Sequence, residues 1–83
     1  MKKIEEQMVE AVKNRQNWEK SNTKVEVAFG NVYVYLFGNL IAWGKSHKTL
    51  KFSTCGWHTP TTRNRLNALG ANCYIKNGQI KFK

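Results

Sequence analysis

The chain has 83 residues, of which 41% are hydrophobic, and this length fits one domain that folds on a single core. Fourteen Lys and Arg against five Glu give a net charge of +9, which is typical of proteins with a polyanionic partner, most often nucleic acid. The alternative is that the charge only keeps a small domain soluble. No apolar run approaches the roughly 20 residues of a membrane helix, so we predict a soluble protein with no membrane partner.

The charge is unevenly distributed along the chain. Residues 1–20 hold five Lys or Arg and four Glu, whereas residues 21–83 hold nine Lys or Arg and only Glu26. The positive field is therefore expected on the predicted sheet and second helix. The N-terminus begins directly in a charged helical pattern, so we predict no signal peptide and two reduced thiols, Cys55 and Cys73.

The N-terminal segment is predicted to be an amphipathic helix packed on a sheet. Apolar and long side chains recur at positions 4, 8, 11, 15 and 18, at the spacing of one helix face, from Lys2 to about Asn17. A polar linker is predicted at residues 19–23.

Three segments with a period of two follow and predict an antiparallel meander. They are Lys24–Phe29, Val32–Phe37 and Leu40–Lys45, joined at Gly30-Asn31 and Gly38-Asn39 by predicted type II′ turns.

Two-residue turns at these positions place Phe29 opposite Val32 and Leu36 opposite Ile41. One face then carries the predicted core, which the first helix covers: Val25, Val27, Phe29, Val32, Val34, Leu36, Ile41 and Trp43. The other face is of mixed character: Lys24, Glu26, Ala28, Tyr33, Tyr35, Phe37, Leu40 and Ala42.

A fourth strand at Thr49–Thr54 precedes the clearest local signal in the chain, a short second helix. Thr59 is a predicted N-cap with Pro60 at the first helical position, and Gly70 is the predicted C′ residue. Trp57 is expected in the core, where it sets the angle at which the chain meets the helix.

The chain ends in a predicted hairpin, Cys73–Phe82, closed by a type I′ turn at Asn77-Gly78. The element order is α-β-β-β-β-α-β-β, which predicts a single α+β domain.

Catalysis, cofactors and metals are not predicted. Four of the five carboxylates lie in residues 1–20, so no paired acid–base site is visible, and no Gly-rich phosphate loop occurs. His47, Cys55, His58 and Cys73 match no standard zinc spacing. We expect two core thiols and two exposed loop imidazoles, with His58 at the surface or in contact with an anion.

Basic residues interleaved with aromatic residues favour nucleic-acid binding, because lysines neutralise phosphates while rings stack on bases. Two surfaces qualify, one around Tyr33 and Tyr35 and one on the terminal hairpin, and the start of the second helix adds free N–H groups and hydroxyls. The predicted binding residues are Lys24, Tyr35, Lys51, Arg63, Arg65, Tyr74, Lys76, Lys81 and Lys83. The alternative for the two strand tyrosines is that the hairpin or the second helix covers them.

The segment from Gly56 to Leu69 reads GWHTPTTRNRLNAL and resembles a motif of small proteins of tailed bacteriophages. Asn22–Val25 and Val34–Ala42 resemble the same family. The resemblance implies a phage origin and the cytoplasm of the infected bacterial host as the location. It brings no catalytic or binding residues.

The sequence therefore predicts a small, non-catalytic phage protein that binds DNA or RNA with low sequence specificity. The alternative is an accessory protein that binds a host protein through its aromatic sheet face, for host takeover or against a host defence. A homo-oligomer formed through an open sheet edge is compatible with both. Salt distinguishes the two, because phosphate binding weakens steeply with ionic strength.

Overall fold

The computed structural model describes residues 2–83 and confirms the α+β class, with one strand more than predicted. The first helix, five strands, the second helix and a terminal hairpin follow one another along the chain. Their bounds are α1 Lys3–Asn14, β1 Trp18–Lys20, β2 Thr23–Ala28, β3 Asn31–Leu36, β4 Asn39–Gly44, a 3₁₀ turn His47–Thr49, β5 Lys51–Phe52, α2 Pro60–Ala68, β6 Cys73–Lys76 and β7 Gln79–Phe82. Strands β1 to β5 form one antiparallel sheet in chain order, and β6 and β7 form a second.

Strand β1 occupies part of the segment predicted as helix and linker. Helix α1 ends at Asn14 because Arg15 adopts a left-handed conformation with φ 53°, and the Gln16 N–H donates to the carbonyl of Ala11. Trp18 then pairs with β2 instead of continuing the helix. Three mostly exposed residues at a sheet edge leave no alternation that a sequence pattern can detect.

The hydrophobic core lies on one face of the five-stranded sheet, beneath both helices and the hairpin. Helix α1 supplies three of its buried side chains, the sheet six, α2 together with its C-cap residue two, and the hairpin two. They are Met8, Ala11, Val12, Val25, Val32, Val34, Leu36, Ile41, Ala42, Leu66, Leu69, Cys73 and Ile80. Within residues 2–83, neither helix has the length and apolar character needed to cross a membrane.

The β2–β3 and β3–β4 hairpin turns differ from the prediction by one position. Phe29-Gly30 and Phe37-Gly38 both have positive φ at each residue, as in type I′ turns, in place of the predicted Gly-Asn pairs. Val27 therefore pairs with Val32, and the predicted register, which placed Phe29 there, is wrong. Phe29 lies at the turn and is 98% exposed, so it is not part of the core.

A β-bulge at Ile41 changes which side chains of β4 face the core. Pairing shifts between Val34 and Tyr35, and Ile41 is the extra residue on the opposite strand. Because one extra residue reverses the alternation, Ile41 and Ala42 are both buried and Trp43 lies on the opposite face. The prediction of Trp43 in the core and Ala42 outside it was wrong.

Helix α2 has the predicted ends. The Thr59 hydroxyl accepts the N–H of Thr62 at 3.2 Å, and Pro60 occupies the first helical position. Gly70 has φ 100°, and the Ala71 N–H donates back into the last turn, as in a Schellman motif.

Two polar side chains, one from α2 and one from the loop before it, form hydrogen bonds to the backbone of the terminal hairpin. The Asn67 amide donates to the Cys73 carbonyl at 2.9 Å and accepts the N–H of the same residue at 2.6 Å. His58 Nδ1 accepts the N–H of Ile80 at 2.9 Å. His58 is thus half-buried and part of the fold, whereas the sequence suggested a surface or anion-contacting residue.

Candidate nucleic-acid interface

The side of the sheet that faces away from the helices carries aromatic and charged residues in cross-strand rows. One row runs from Glu26 through Tyr33 and Trp43 to Lys51, across strands β2 to β5. The side chains of α2 and of the hairpin that become buried join the core on the opposite side. They therefore do not cover the tyrosines, contrary to the alternative raised by the sequence. We call the following residues the outer sheet face: Lys24, Glu26, Tyr33, Tyr35, Trp43 and Lys51.

The rings of the outer sheet face are half-buried, so each keeps part of its surface open to solvent. Lys24 pairs with Tyr35 across β2 and β3, and the Lys24 Nζ lies 5.8 Å from the centroid of the Tyr35 ring. That distance is within the range of a cation–π contact. The sequence predicted Lys24, Tyr35 and Lys51 as one surface, and the structure brings them onto one face and adds Trp43.

Glu26 is the acidic member of this face. Its Oε2 lies 3.6 Å from Lys24 Nζ, and both side chains are more than two-fifths exposed. Exposed pairs of this kind contribute little to stability. The carboxylate instead lowers the positive potential of the face.

The terminal hairpin forms the second basic surface. Tyr74, Lys76, Lys81 and Lys83 are all exposed, and Tyr74 pairs with Lys81 across the two strands. Lys83 Nζ lies 6.0 Å from the centroid of the Tyr74 ring. The structure brings these four residues together, but on a sheet separate from the outer sheet face.

Arg65 is in the interior, and its predicted role as a phosphate contact was wrong. It is 5% exposed, and its guanidinium donates to Glu5 Oε2 at 2.9 Å and to Thr23 Oγ1 at 3.1 Å. The reason is its helical position, because Thr62, Arg65 and Leu66 follow the i, i+3, i+4 spacing of a buried stripe. That spacing is the sequence signal that could have identified it.

Arg63, unlike the buried Arg65, is half-buried and lies near the start of α2. Its Nε and one terminal nitrogen both donate to the Asn64 side-chain oxygen at 3.3 Å, a contact between adjacent residues that leaves it close to the surface.

Two aromatic residues that the sequence did not select, Phe37 and Trp57, line a groove of about 400 Å³. Trp57 is 56% exposed, so its expected place in the core was wrong. The chain bends at Cys55 and Gly56, which both have positive φ, and this bend leads the Trp57 side chain outward.

The cysteines and histidines are dispersed. Cys55 is exposed, contrary to expectation, while Cys73 is buried, and both are free thiols. Burial raises the pKa of the Cys73 thiol, which is typical of an unreactive cysteine. Across residues 2–83, no three His, Cys, Asp or Glu side chains are grouped so that they could hold a metal ion.

Comparison with known proteins identifies a family. The sequence model described as Kyanoviridae Gp96 protein matches residues 1–83. No curated protein and no solved structure matches the chain. The match covers the Gly56–Leu69 motif and confirms the resemblance to small bacteriophage proteins. The chain therefore belongs to the Kyanoviridae Gp96 protein family of bacteriophages.

Proposed function

We propose that this phage protein is a non-catalytic nucleic-acid-binding protein of low sequence specificity, which binds its ligand across the outer sheet face. The observation that carries the proposal is an uncovered sheet face with three aromatic rings, Tyr33, Tyr35 and Trp43, between Lys24 and Lys51. Rings of this kind stack on bases, and the flanking lysines neutralise phosphates. Neither contact depends strongly on base identity, which is the reason for the low specificity.

Further phosphate contacts are proposed for Arg63 and for the lysines of the terminal hairpin, Lys76, Lys81 and Lys83, with Tyr74 as an additional ring. Residues 21–83 carry nearly all of the net charge, so the field that attracts a polyanion comes from the parts of the chain that hold both surfaces. The expected location is the cytoplasm of the infected bacterial host, where phage and host nucleic acid are present.

Fluorescence anisotropy of labelled single-stranded and duplex DNA and RNA, at about 50 and about 200 mM salt, tests the proposal. The association constant should fall by about tenfold or more between the two salt concentrations. Lys24→Ala and Lys51→Ala should each lower the slope of the log–log salt plot by about 1. Lys3→Ala, which removes an exposed lysine of α1, is the matched control and should leave the slope unchanged. Absence of binding at the lower salt concentration would overturn the proposal.

A pair of charge-neutralising variants tests the location of the site. Glu26→Gln and Glu10→Gln each raise the net charge by the same amount, but Glu26 is on the outer sheet face and Glu10 is on the exposed side of α1. Glu26→Gln should strengthen binding because it frees Lys24 for a phosphate. Equal effects of the two variants would show that only the total charge matters and that the outer sheet face is not the site.

The alternative function is an accessory protein that binds a host protein. The exposed rings of Phe37 and Trp57 favour it, because aromatic side chains dominate the energetics of protein interfaces. Such an interface should change little with ionic strength. Capture of a bacterial protein at both salt concentrations, together with no nucleic-acid binding, would support this alternative. A homo-oligomer through the edge strands β1 or β5 is compatible with either function.

A further inference from the structure

The groove lined by Phe37 and Trp57 lies between the β3–β4 turn and the start of α2. Leu36 and Ile41 line it from the sheet, and Thr59 contributes from the N-cap of the helix. Its lining is mainly apolar and includes no acidic residue. Its volume of about 400 Å³ is near the lower end of the range for small-molecule sites. The groove is therefore suited to one flat, ring-sized group and too small for a helix.

Phe37 connects this groove to the outer sheet face. It lines the groove on one side, and on the other it borders a surface depression whose lining includes Lys24 and Tyr35 together with the carboxylates of Glu19 and Glu26. A ligand that stacks on Tyr35 thus reaches the groove by passing over the β3–β4 turn. Arg63 directly follows Thr62, which lines the groove from α2, so a basic residue is adjacent in the helix to the groove lining.

We infer that the groove receives one unstacked base of a single-stranded nucleic acid whose backbone continues across the outer sheet face. This inference rests on the proposed function and names the form of its ligand. The base stacks against Trp57 and Phe37, while Lys24 and Arg63 contact neighbouring phosphates. Paired bases in a duplex are stacked within the helix and do not enter such a groove, so single strands are the preferred ligand.

The test compares a labelled oligothymidylate with a duplex of the same length. Trp57→Ala should weaken binding of the single strand by about 5- to 150-fold, the range measured when one stacking ring is removed. Duplex binding, which depends on charge, should stay within about twofold. Because more than half of the Trp57 side chain is exposed, its removal should preserve the fold, and circular dichroism verifies this.

A matched pair of turn variants provides a second measurement that does not endanger the fold. Phe37 and Phe29 occupy the same position in two type I′ turns, with φ 51° and 53°, but Phe29 is 98% exposed and does not line the groove. Asn is favoured at this turn position, so Phe37→Asn and Phe29→Asn should both fold. Phe37→Asn should weaken binding of the single strand, and Phe29→Asn should not.

The outcomes separate this inference from the proposed function. If the wild-type protein binds neither ligand, both are overturned. If it binds both ligands and the Trp57→Ala and Phe37→Asn variants bind as the wild type does, the base-binding groove is overturned while the proposed function stands. The same holds if Phe29→Asn weakens binding as much as Phe37→Asn. If Trp57→Ala abolishes capture of a host protein and leaves single-strand binding unchanged, the groove is a protein-binding site.

Discussion

Glu5 and Arg65 form a buried ion pair that joins the first helix to the second, with 2.9 Å between the charged atoms. Removing one charge from a buried pair leaves the other uncompensated and costs about 3–5 kcal/mol. Glu5 also accepts the backbone N–H of Lys2 at the start of α1, a bond that Gln can retain. Glu5→Gln should therefore lower the free energy of unfolding by about 3 kcal/mol through the lost charge. Urea denaturation measures this change.

Glu6→Gln is the control for that variant, because Glu6 lies in the same first turn of α1 but is exposed. It should change the free energy of unfolding by less than about 0.5 kcal/mol. Equal effects of the two variants would mean that the change reflects helix-end charge and not the pair with Arg65.

His47 gives the fold a pH dependence on the acidic side of neutrality. Burial, and then the positive charges of Lys13 and Lys48, lower the pKa of its imidazole from the ordinary value of 6.5. As the pH falls through that value, the unfolded chain takes up a proton that the folded chain resists, so the free energy of unfolding decreases. Urea denaturation of wild type and His47→Gln at pH about 7.5 and about 5.5 should show a smaller decrease in the variant. The same decrease in both would contradict the assignment to His47.

Single residues show where the sequence is least informative. The charge of Arg65 suggests a surface residue, and its partner Glu5 is 60 positions away, so no local sequence pattern indicates the ion pair. Trp57 shows the opposite case, because its large apolar ring suggests a core residue and yet its side chain is exposed. In both cases the side chain's surroundings are set by packing between distant segments, which residue type does not encode.

At the scale of elements, three of the four hairpin turns share one backbone geometry, and their sequences can be compared. Phe29-Gly30, Phe37-Gly38 and Asn77-Gly78 all have positive φ at both residues. A side chain with a Cβ pays about 1–2 kcal/mol in the left-handed region, and Asn is among the residues that tolerate it. Phe29 is almost fully exposed and loses no packing on replacement. Phe29→Asn should raise the free energy of unfolding by about 0.5–1 kcal/mol, measured by urea denaturation.

The reverse change, Asn77→Phe in the third turn, should lower the free energy of unfolding by a similar amount, because Asn77 is also exposed. A stabilising effect of Asn77→Phe, or a destabilising effect of Phe29→Asn, would show that Phe is the better residue at this turn. The geometric argument would then fail.

The elements that the sequence predicted correctly are those with signals inside the element itself. Helix α2 has its cap at Thr59, its first-turn proline and its final Gly70, and the terminal hairpin has Asn77-Gly78. Strand β1 and the bulge at Ile41 depend on hydrogen-bonded pairing with the neighbouring strand, so no local sequence pattern indicates them. The predicted β2–β3 and β3–β4 turns were displaced by one residue because Gly-Asn is a stronger turn signal than Phe-Gly.

At the scale of the whole molecule, the sequence anticipated the layout and every residue of the outer sheet face except Trp43. Two-residue periodicity fixed which side chains share a face, so Lys24, Tyr35 and Lys51 were correctly grouped even though the register was shifted by two. Trp43 joined them only through the bulge. The Phe37–Trp57 groove could not be predicted, since it lies between two elements whose relative position is a tertiary property.

The net charge of +9 leads to a prediction for the folded chain. Residues 2–83 contain two ion pairs, so most basic side chains repel one another without compensation, and added salt should screen this repulsion. The Tm of the free protein should therefore rise as NaCl increases from about 20 to about 200 mM. The increase in Tm produced by a saturating oligothymidylate should shrink over the same range, because salt weakens phosphate binding. Thermal melts followed by circular dichroism measure both effects. A ligand-induced increase that does not change with salt would indicate that charge contributes little to binding, whereas opposite slopes would agree with repulsion within the free protein and phosphate binding in the complex.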